Sequence, residues 1–375
     1  MNRVKFGDVV LEIKINVDRT TDDHEYFIAG EHMDSCNVHI TRRGRFSESD
    51  VGPAFIRLFR PGQVLYGSRR TYLRKVAVAD FEGITSNTTF VLETKDSNRL
   101  LQELLPYIML TDRFSEYAIN NSKGSTNPYI LFKDLAAYEF DLPTIEEQRQ
   151  LVVLLSACDR AKEAYKRLLK QTDEVVKSQF IEMFGAVDGA EYIPLEKCCS
   201  SVTGGSTPSM KHEEYYGGDV PFIKSGDVKD AYVSSGALWL TQEALANTTA
   251  KLVPSGSVVV VIRSGILKHD LPVAIASNPV VINQDLKAFQ PKPEFTSQYL
   301  AWAIRSKEND LLSMTRAMTV DNIESQELYS IPVMVAPIGL QNEFAAFVEQ
   351  SDKSKFELTQ AISRIDDMIK ALMQG

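Results

Sequence analysis

From Glu146 to Phe184 the chain contains no glycine or proline, and its apolar and small residues recur at alternating steps of three and four: Leu151, Leu154, Cys158, Ala161, Tyr165, Leu168, Thr172, Val175. Near the end the same rhythm returns in Phe344, Phe347, Ser351, Ser354, Leu358, Ala361, Ile365, Met368 and Leu372. A 3.5-residue period held over four or more heptads predicts two long helices that pair as a coiled coil. About 38 residues at 1.5 Å each give helices of roughly 55–60 Å. Pro143 and Pro337 stand just before them, and Gly185 and Gly189 close the first. The competing expectation is that each helix packs on its own domain, but a lone packing helix seldom exceeds 25 residues. Small and polar seam residues such as Thr172, Ser351 and Ser354 predict a pair of modest stability and fixed register.

The stretches before the helices have another texture. Short β-rich runs (Val64–Tyr66, Thr88–Leu92, Val258–Ile262, Val280–Ile282) are broken by Gly, Pro, Asn and Ser, which predicts a mixed or all-β core with long loops. One helix is expected within each stretch, over Leu100–Asn120 and Ser297–Met314.

The two halves also repeat one another. At a constant offset of 193, Pro61 aligns with Pro254, Arg70 with Arg263, Lys75 with Lys268, Lys123 with Arg316, Thr126 with Thr319, Ile130 with Ile323, Gln148 with Gln341 and Asp159 with Asp352. Upstream the offset drifts: Phe27–Glu31 matches Phe222–Asp227, and Val4–Phe6 matches Ile193–Leu195. The chain is therefore a tandem duplication of a unit of about 190 residues.

Composition narrows the class. With 375 residues, 44% hydrophobic and 24% charged, the chain has the make-up of a two- or three-domain globular protein. No run of 18 apolar residues is long enough for a spanning helix, and the charged start MNRVKFGDVVLEIK lacks a signal-peptide core. Four cysteines, two adjacent (Cys198, Cys199), suit neither a disulfide framework nor a zinc site, so a reducing cytoplasm is the expected compartment and no membrane is expected. The net charge of −9 leaves nucleic-acid binding to local clusters.

Little catalytic chemistry is visible. Asn127-Pro128-Tyr129 lacks one proline of the loop with which adenine methyltransferases grip a flipped base, and Val320-Asp321-Asn322 replaces it in the second half. A turn before Ile130 is the better reading. The five histidines show no H-x-x-x-H spacing, no serine sits in G-x-S-x-G, and Gly204-Gly205-Ser206-Thr207-Pro208 lacks a phosphate-loop lysine. Neither a catalytic nor a metal site is expected.

The order of the segments carries a resemblance. A β-rich domain, then Leu142-Pro143-Thr144-Ile145-Glu146-Glu147-Gln148 opening a long helix, then Ser178-Gln179-Phe180-Ile181-Glu182-Met183-Phe184-Gly185, then the same plan again, resembles the specificity (S) subunit of type I restriction–modification enzymes. The second opening, Pro337-Ile338-Gly339-Leu340-Gln341, is one residue shorter between proline and glutamine, and its helix ends early. The resemblance spans essentially the whole chain. It implies an α+β fold: two tandem β-rich target recognition domains (1–142, 186–336), each followed by a conserved spacer helix (143–185, 337–375), with the helices pairing as an antiparallel coiled coil in a pseudo-twofold internal repeat. It further implies a non-catalytic DNA-recognition subunit that reads an asymmetric bipartite site in double-stranded DNA. Such a subunit holds two methyltransferase (M) subunits and, in the full complex, restriction (R) subunits. S-adenosylmethionine is expected on the M subunits and no cofactor on this chain. The alternatives are the specificity subunit of a type II-like enzyme with a fused restriction–methylation partner, and a scaffold that binds protein only.

Charge places the DNA-facing residues. Between Thr41 and Lys75 lie nine Arg/Lys against two acidic residues: Arg42, Arg43, Arg45, Arg57, Arg60, Arg69, Arg70, Arg74 and Lys75, interleaved with Tyr66 and Tyr72. Guanidinium forks suit phosphate and guanine edges. The bland reading is a solvated surface with intramolecular pairs, since residues 1–142 hold 18 basic and 20 acidic groups. In the leaner second half the candidates are Arg263, Lys268, Arg316 and Thr319, which the repeat sets opposite Arg70, Lys75, Lys123 and Thr126, together with Lys224, Ser225 and His269. Phosphate contacts position and base contacts specify. The shared positions are thus expected to dock the backbone, while Arg42, Arg43, Arg45, Lys224, Ser225 and His269 read sequence.

Overall fold

The computed structural model describes residues 2–18, 24–185, 189–316 and 322–374. These form two compact units, Met1–Tyr165 with Gln360–Gly375, and Lys166–Thr359. Each unit therefore contains part of both long helices.

In the first unit alternating apolar residues build two four-stranded sheets. One is antiparallel in the order Val10–Ile13, Thr89–Thr94, Val64–Gly67, Val76–Val78. The other runs Gly44–Arg45, Tyr26–Ile28, Gly83–Ser86, Phe55–Phe59, and its middle pair is parallel. Asn2–Lys5 pairs with Glu139–Leu142 and brings the start of the chain to the foot of the first long helix. The core is aromatic at its base, where Phe114 lies 5.3 Å from Phe6 and 5.1 Å from Tyr138 by ring centroids.

The second unit repeats this plan. Cys199–Gly204, Leu286–Pro291, Val258–Val261, Val273–Ala276 and Tyr232–Val233 form one sheet. Leu238–Leu240, Tyr216–Ile223, Val280–Ile282 and Leu252–Val253 form the other, and Tyr192–Pro194 closes on Pro332–Met334. The expected strands are present, and the core is mixed rather than all-β.

Strand register corrects the constant offset. Val64 faces Val78 and Leu92, whereas Val258 faces Ile275 and Phe289. The matching offset is thus 194 in one strand and 197 in the next two. The cause is a turn three residues longer, 262–272 against 68–75. Sequence identity at offset 193 inside the sheets therefore pairs residues that the fold does not superpose.

The single helix expected over Leu100–Asn120 is broken. Gln102–Leu104 and Leu105–Met109 lead to Leu110, and the Thr111 hydroxyl then accepts from the Phe114 amide and opens a new helix, Asp112–Asn120. Ser297–Met314 is likewise two helices, Ser297–Arg305 and Glu308–Arg316. An internal N-cap donor trap outweighs continuous amphipathic spacing in the first case.

The long helices are Ile145–Phe184, 40 residues, and Ile338–Gln374, 37 residues. Thr144 and Glu147 open the first with a capping box: the Glu147 carboxylate accepts from the Thr144 amide at 2.7 Å, and the Thr144 hydroxyl accepts from the Glu147 amide. These bonds hold the Glu147 carboxyl below its ordinary range. One turn in, Gln148 is fully buried, accepts from the Leu101 amide at 3.0 Å and donates to the Arg99 and Pro143 carbonyls. Gln341 does the same, accepting from Thr296 and donating to Glu294 and Ala336. Each glutamine fastens a helix to its unit. Replacing either by alanine strands three backbone partners and lowers stability by about 2–4 kcal/mol, read by denaturant unfolding.

The helix faces match the expected seam only in part: Cys158 Sγ lies 3.5 Å from Met368 Sδ, and Leu151, Phe344 and Leu372 are covered. Leu154, Leu168, Val175 and Met368 are 49%, 44%, 54% and 53% exposed. Leu155 is buried in the first unit's core, and Val176, Phe180 and Phe184 in the second's. Val348 and Phe344 enter the second core, while Ile369, Leu372 and Met373 pack on the first. Val176, Phe180 and Phe184 step by four, the ridge a domain core grips, so the competing expectation of packing on a domain holds at the helix ends. Phe184 stands 4.6 Å from Tyr299, and Phe180 5.3 Å from Phe344. Between the ends, the Lys162 ammonium meets Asp366 at 2.5 Å in the first unit, and Lys355 meets Asp173 at 3.1 Å in the second.

Candidate nucleic-acid interface

The basic cluster of the first unit separates into three groups. Arg42 pairs with Asp34 at 2.5 Å, Arg43 lies 3.9 Å above the Tyr26 ring, and Arg45 reaches Glu25 at 3.6 Å and the Tyr26 hydroxyl at 3.3 Å. Tyr26 serves Arg43 and Arg45 as a cation–π platform.

A second group surrounds a hairpin. Lys123 and Tyr129 exchange backbone bonds at 2.7 and 2.9 Å around Gly124, whose φ is +87°. The sequence Asn127-Pro128-Tyr129 is part of this turn, as expected from its missing proline. Arg69 forms a backbone bridge with Tyr129, the Arg70 amide donates to the Pro128 carbonyl, and the Arg70 side chain donates to Asn127 at 3.1 Å. Arg70 has a φ of +52°, a left-handed geometry that turns the chain sharply out of the strand. Arg69 and Arg70 are exposed and have no carboxylate partner among the described residues, and Thr126, Tyr72 and Tyr129 are exposed beside them. Lys123 is paired with Asp134 at 2.8 Å, a bond that holds the Asp134 carboxyl below its ordinary range.

The third group is structural. Arg74 is three-quarters buried, pairs with Asp112 at 2.7 Å and caps the Leu110 carbonyl. The Lys75 ammonium donates to the Gly30 carbonyl, and Arg60 pairs with Glu82 at 3.3 Å. The bland reading of internal pairing thus holds for these residues.

In the second unit Arg263 is half exposed, with Asp285 at 3.9 Å, and bridges Asn322. Tyr129 and Asn322 are repeat equivalents, so the counterpart of Arg263 is Arg69, not Arg70. Lys75 is matched by Pro272 through the bonds Gly67–Lys75 and Val261–Pro272, and not by Lys268. Lys268 and His269 lie on the exposed turn Gly265–Lys268 and just after it. Lys224 and Ser225 open the turn Ser225–Asp227, the counterpart of Gly30–His32, and the Lys224 amide donates to Asp227. Thr319 and the side chain of Arg316 lie outside the described residues. Sequence reasoning passed over Tyr129 and Asn322 as arginine partners and Tyr26 as a platform. Backbone pairing exposes the first two, and only stacking geometry the third.

Other chemistry is sparse. Among the described residues no group of His, Cys, Asp and Glu is placed to hold a metal ion, and no helix is long and apolar enough to cross a membrane. Cys198 and Cys199 are buried, and burial pushes both thiols up to about 12.

Comparison with known proteins places this architecture. Residues 26–172 and 191–365 each match the family profile of the type I restriction modification DNA specificity domain. Over 164 residues, 43% of this chain and 41% of the relative, it is 30% identical to the type I restriction enzyme EcoR124I/EcoR124II specificity subunit of Escherichia coli. Over 114 residues, 30% of this chain and 26% of the relative, it is 35% identical to the MjaIX specificity subunit of Methanocaldococcus jannaschii. The matched regions thus span less than half the length of these curated relatives. A chain from a structural study of complex assembly and conformational transition of the type I R-M system shares the fold, with a TM-score of 0.57 at 18% identity, covering 100% of this chain and 96% of that one. The S subunit from M. genitalium gives a TM-score of 0.53 at 12% identity over 99% and 94% of the two chains. With two matches that together span most of its length, the chain belongs to the type I restriction modification DNA specificity domain family.

Proposed function

We propose that this chain is the DNA-recognition subunit of a type I restriction–modification complex. Its two recognition domains read the halves of an asymmetric bipartite site, and it carries no catalytic step itself. The observation that carries the reading is the reciprocity of two ion pairs. Lys162 of the first long helix pairs with Asp366 of the second, and Lys355 of the second with Asp173 of the first. The repeat relates Lys162 to Lys355 and Asp173 to Asp366, so each pair is the other with the helices exchanged. Eleven residues along one helix correspond to eleven residues back along the other, as an antiparallel pair requires. This pattern supports an antiparallel coiled coil with a pseudo-twofold axis, whose two faces suit two identical M subunits. S-adenosylmethionine and methylation of adenine then belong to the M subunits, cleavage to R subunits, and the compartment is the cytoplasm. The duplicated Arg69 and Arg263, each beside a bridged turn, support a pair of equivalent DNA contacts.

The test is co-expression with a type I M subunit and sequencing of methylated host DNA. A bipartite methylated motif is expected. Exchanging residues 1–142 for those of another member should change one half of that motif and leave the other intact. No methylation, or simultaneous change of both halves, contradicts modular recognition. Duplex binding by the complex should weaken steeply with salt, and a salt-independent association would favour the protein-only scaffold.

A further inference from the structure

We infer that the hydrogen bond between His39 and Asp159 is a positioning contact: it ties the segment bearing Arg42, Arg43 and Arg45 to the first long helix, and so fixes how the first domain presents that segment to DNA. This rests on the reading of the chain as a DNA-recognition subunit.

His39 Nε2 lies 2.6 Å from the Asp159 carboxylate, with the histidine 44% and the aspartate 17% exposed. The segment around His39 meets the sheets on both sides: ahead of it through backbone bonds, and beyond it through Gly44–Arg45, which pairs with Tyr26 and Phe27. The Cys36 amide donates to the Arg74 carbonyl, the Val78 amide donates to the Val38 carbonyl, and His39 bridges Val78 in parallel. Two and three residues after His39, Thr41 and Arg42 both bond to Asp34. The arginine group thus spans the short link between the His39–Val78 bridge and the Gly44–Arg45 strand. The His39–Asp159 bond connects the start of that link to a 40-residue helix. With the far end held by the strand, a charge-assisted bond at the near end sets where Arg42 stands, because three residues reach at most about 10 Å.

The second unit shows that the fold does not need this bond. Register makes Tyr232 the counterpart of His39: it pairs in parallel with Ile275, as His39 does with Val78. Asp352 is the counterpart of Asp159. Asp352 is engaged by Lys355 at 2.8 Å, while its buried Oδ2 has no partner among the described residues. The Tyr232 hydroxyl instead accepts from Gln298 at 3.5 Å. Tyr232 and Asp352 flank a cavity of about 440 Å³. The same sheets close around an open gap in one unit and a direct bond in the other, so the bond serves presentation in the first unit rather than closure of the fold.

The experiment uses the full chain in complex with its M subunits and measures methylation kinetics on the cognate duplex and on single mismatches in each half-site. His39→Ala and Asp159→Ala should each raise KM for DNA about tenfold while kcat stays within about twofold, as expected for one lost charge-assisted bond. Discrimination should fall only in the half-site assigned to residues 1–142. The double variant should be no worse than either single variant, because the two side chains form one contact. Asp159→Asn retains an acceptor for Nε2–H but not the charge, and should fall between the unsubstituted complex and the alanine variants. Should an alanine variant fail to fold, His39→Tyr copies the side chain that the second unit accommodates and should show the same KM effect. Additive effects, equal loss in both half-sites, or unchanged KM overturn the inference. A complex lacking any sequence preference before substitution would instead overturn the DNA-recognition reading.

Discussion

Inserting four residues after Lys170 lengthens the non-specific spacer of the methylated motif by one or two base pairs and leaves both half-sites intact; inserting two residues abolishes methylation. Four residues add roughly 6 Å and about 400° of rotation, which returns the helix to within about 40° of its starting face. Val176, Phe180 and Phe184 then re-enter the second core after a small local unwinding. One of the pairs Lys162–Asp366 or Lys355–Asp173 has to slip. Asp366 and Asp173 are 43% and 59% exposed, so the loss is on the order of 1 kcal/mol or less. Two residues rotate the downstream helix by about 200° and turn those three side chains to solvent. Exposing the two phenylalanines and the valine costs several kcal/mol, comparable with the stability of a domain. The measurement is the methylated motif of each variant in cells. A four-residue insertion with an unchanged spacer would show that the helices do not set the half-site separation.

The periodicities that the sequence displays are those with long runs behind them. Forty residues without a helix breaker, bounded by Thr144–Glu147 and Gly185, announce the first long helix because propensity, capping and termination agree. The valine run Val258–Val261 is a fully buried central strand for the same reason. The face of the long helices was legible only in part, at positions such as Cys158, Phe344 and Leu372. Which stripe is covered depends on Tyr299 and Phe344 meeting Phe180 and Phe184, and a 3.5-residue rhythm does not encode that tertiary demand. The candidate site was legible as an excess of arginine but not as a geometry. Arg69 and Arg74 differ by five positions, yet one has no carboxylate partner among the described residues and the other is locked to Asp112. Equivalence across the repeat failed where a turn gained three residues, because loop length resets numbering without disturbing strand register.

That difference between neighbouring arginines gives charge reversals of opposite character. Arg69→Glu and Arg263→Glu remove one cation each from matched places and set a carboxylate against phosphate. Each should weaken duplex binding by roughly 10–100-fold at 0.1 M salt and lower the slope of log affinity against log salt by about one. Neither should disturb folding: Arg69 has no carboxylate partner among the described residues, and Arg263 loses only a contact at 3.9 Å. Because the two arginines belong to separate units, the double variant should multiply the two losses. Arg74→Glu should do the reverse. It places a carboxylate beside Asp112, strands the Leu110 carbonyl and lowers the stability of the first unit by about 2–3 kcal/mol. Its binding defect should appear only in proportion to unfolding, and recover at lower temperature. Fluorescence anisotropy of labelled duplex across a salt series, paired with thermal unfolding of each variant, separates the two behaviours. Unchanged affinity for Arg69→Glu or Arg263→Glu removes that residue from the DNA face.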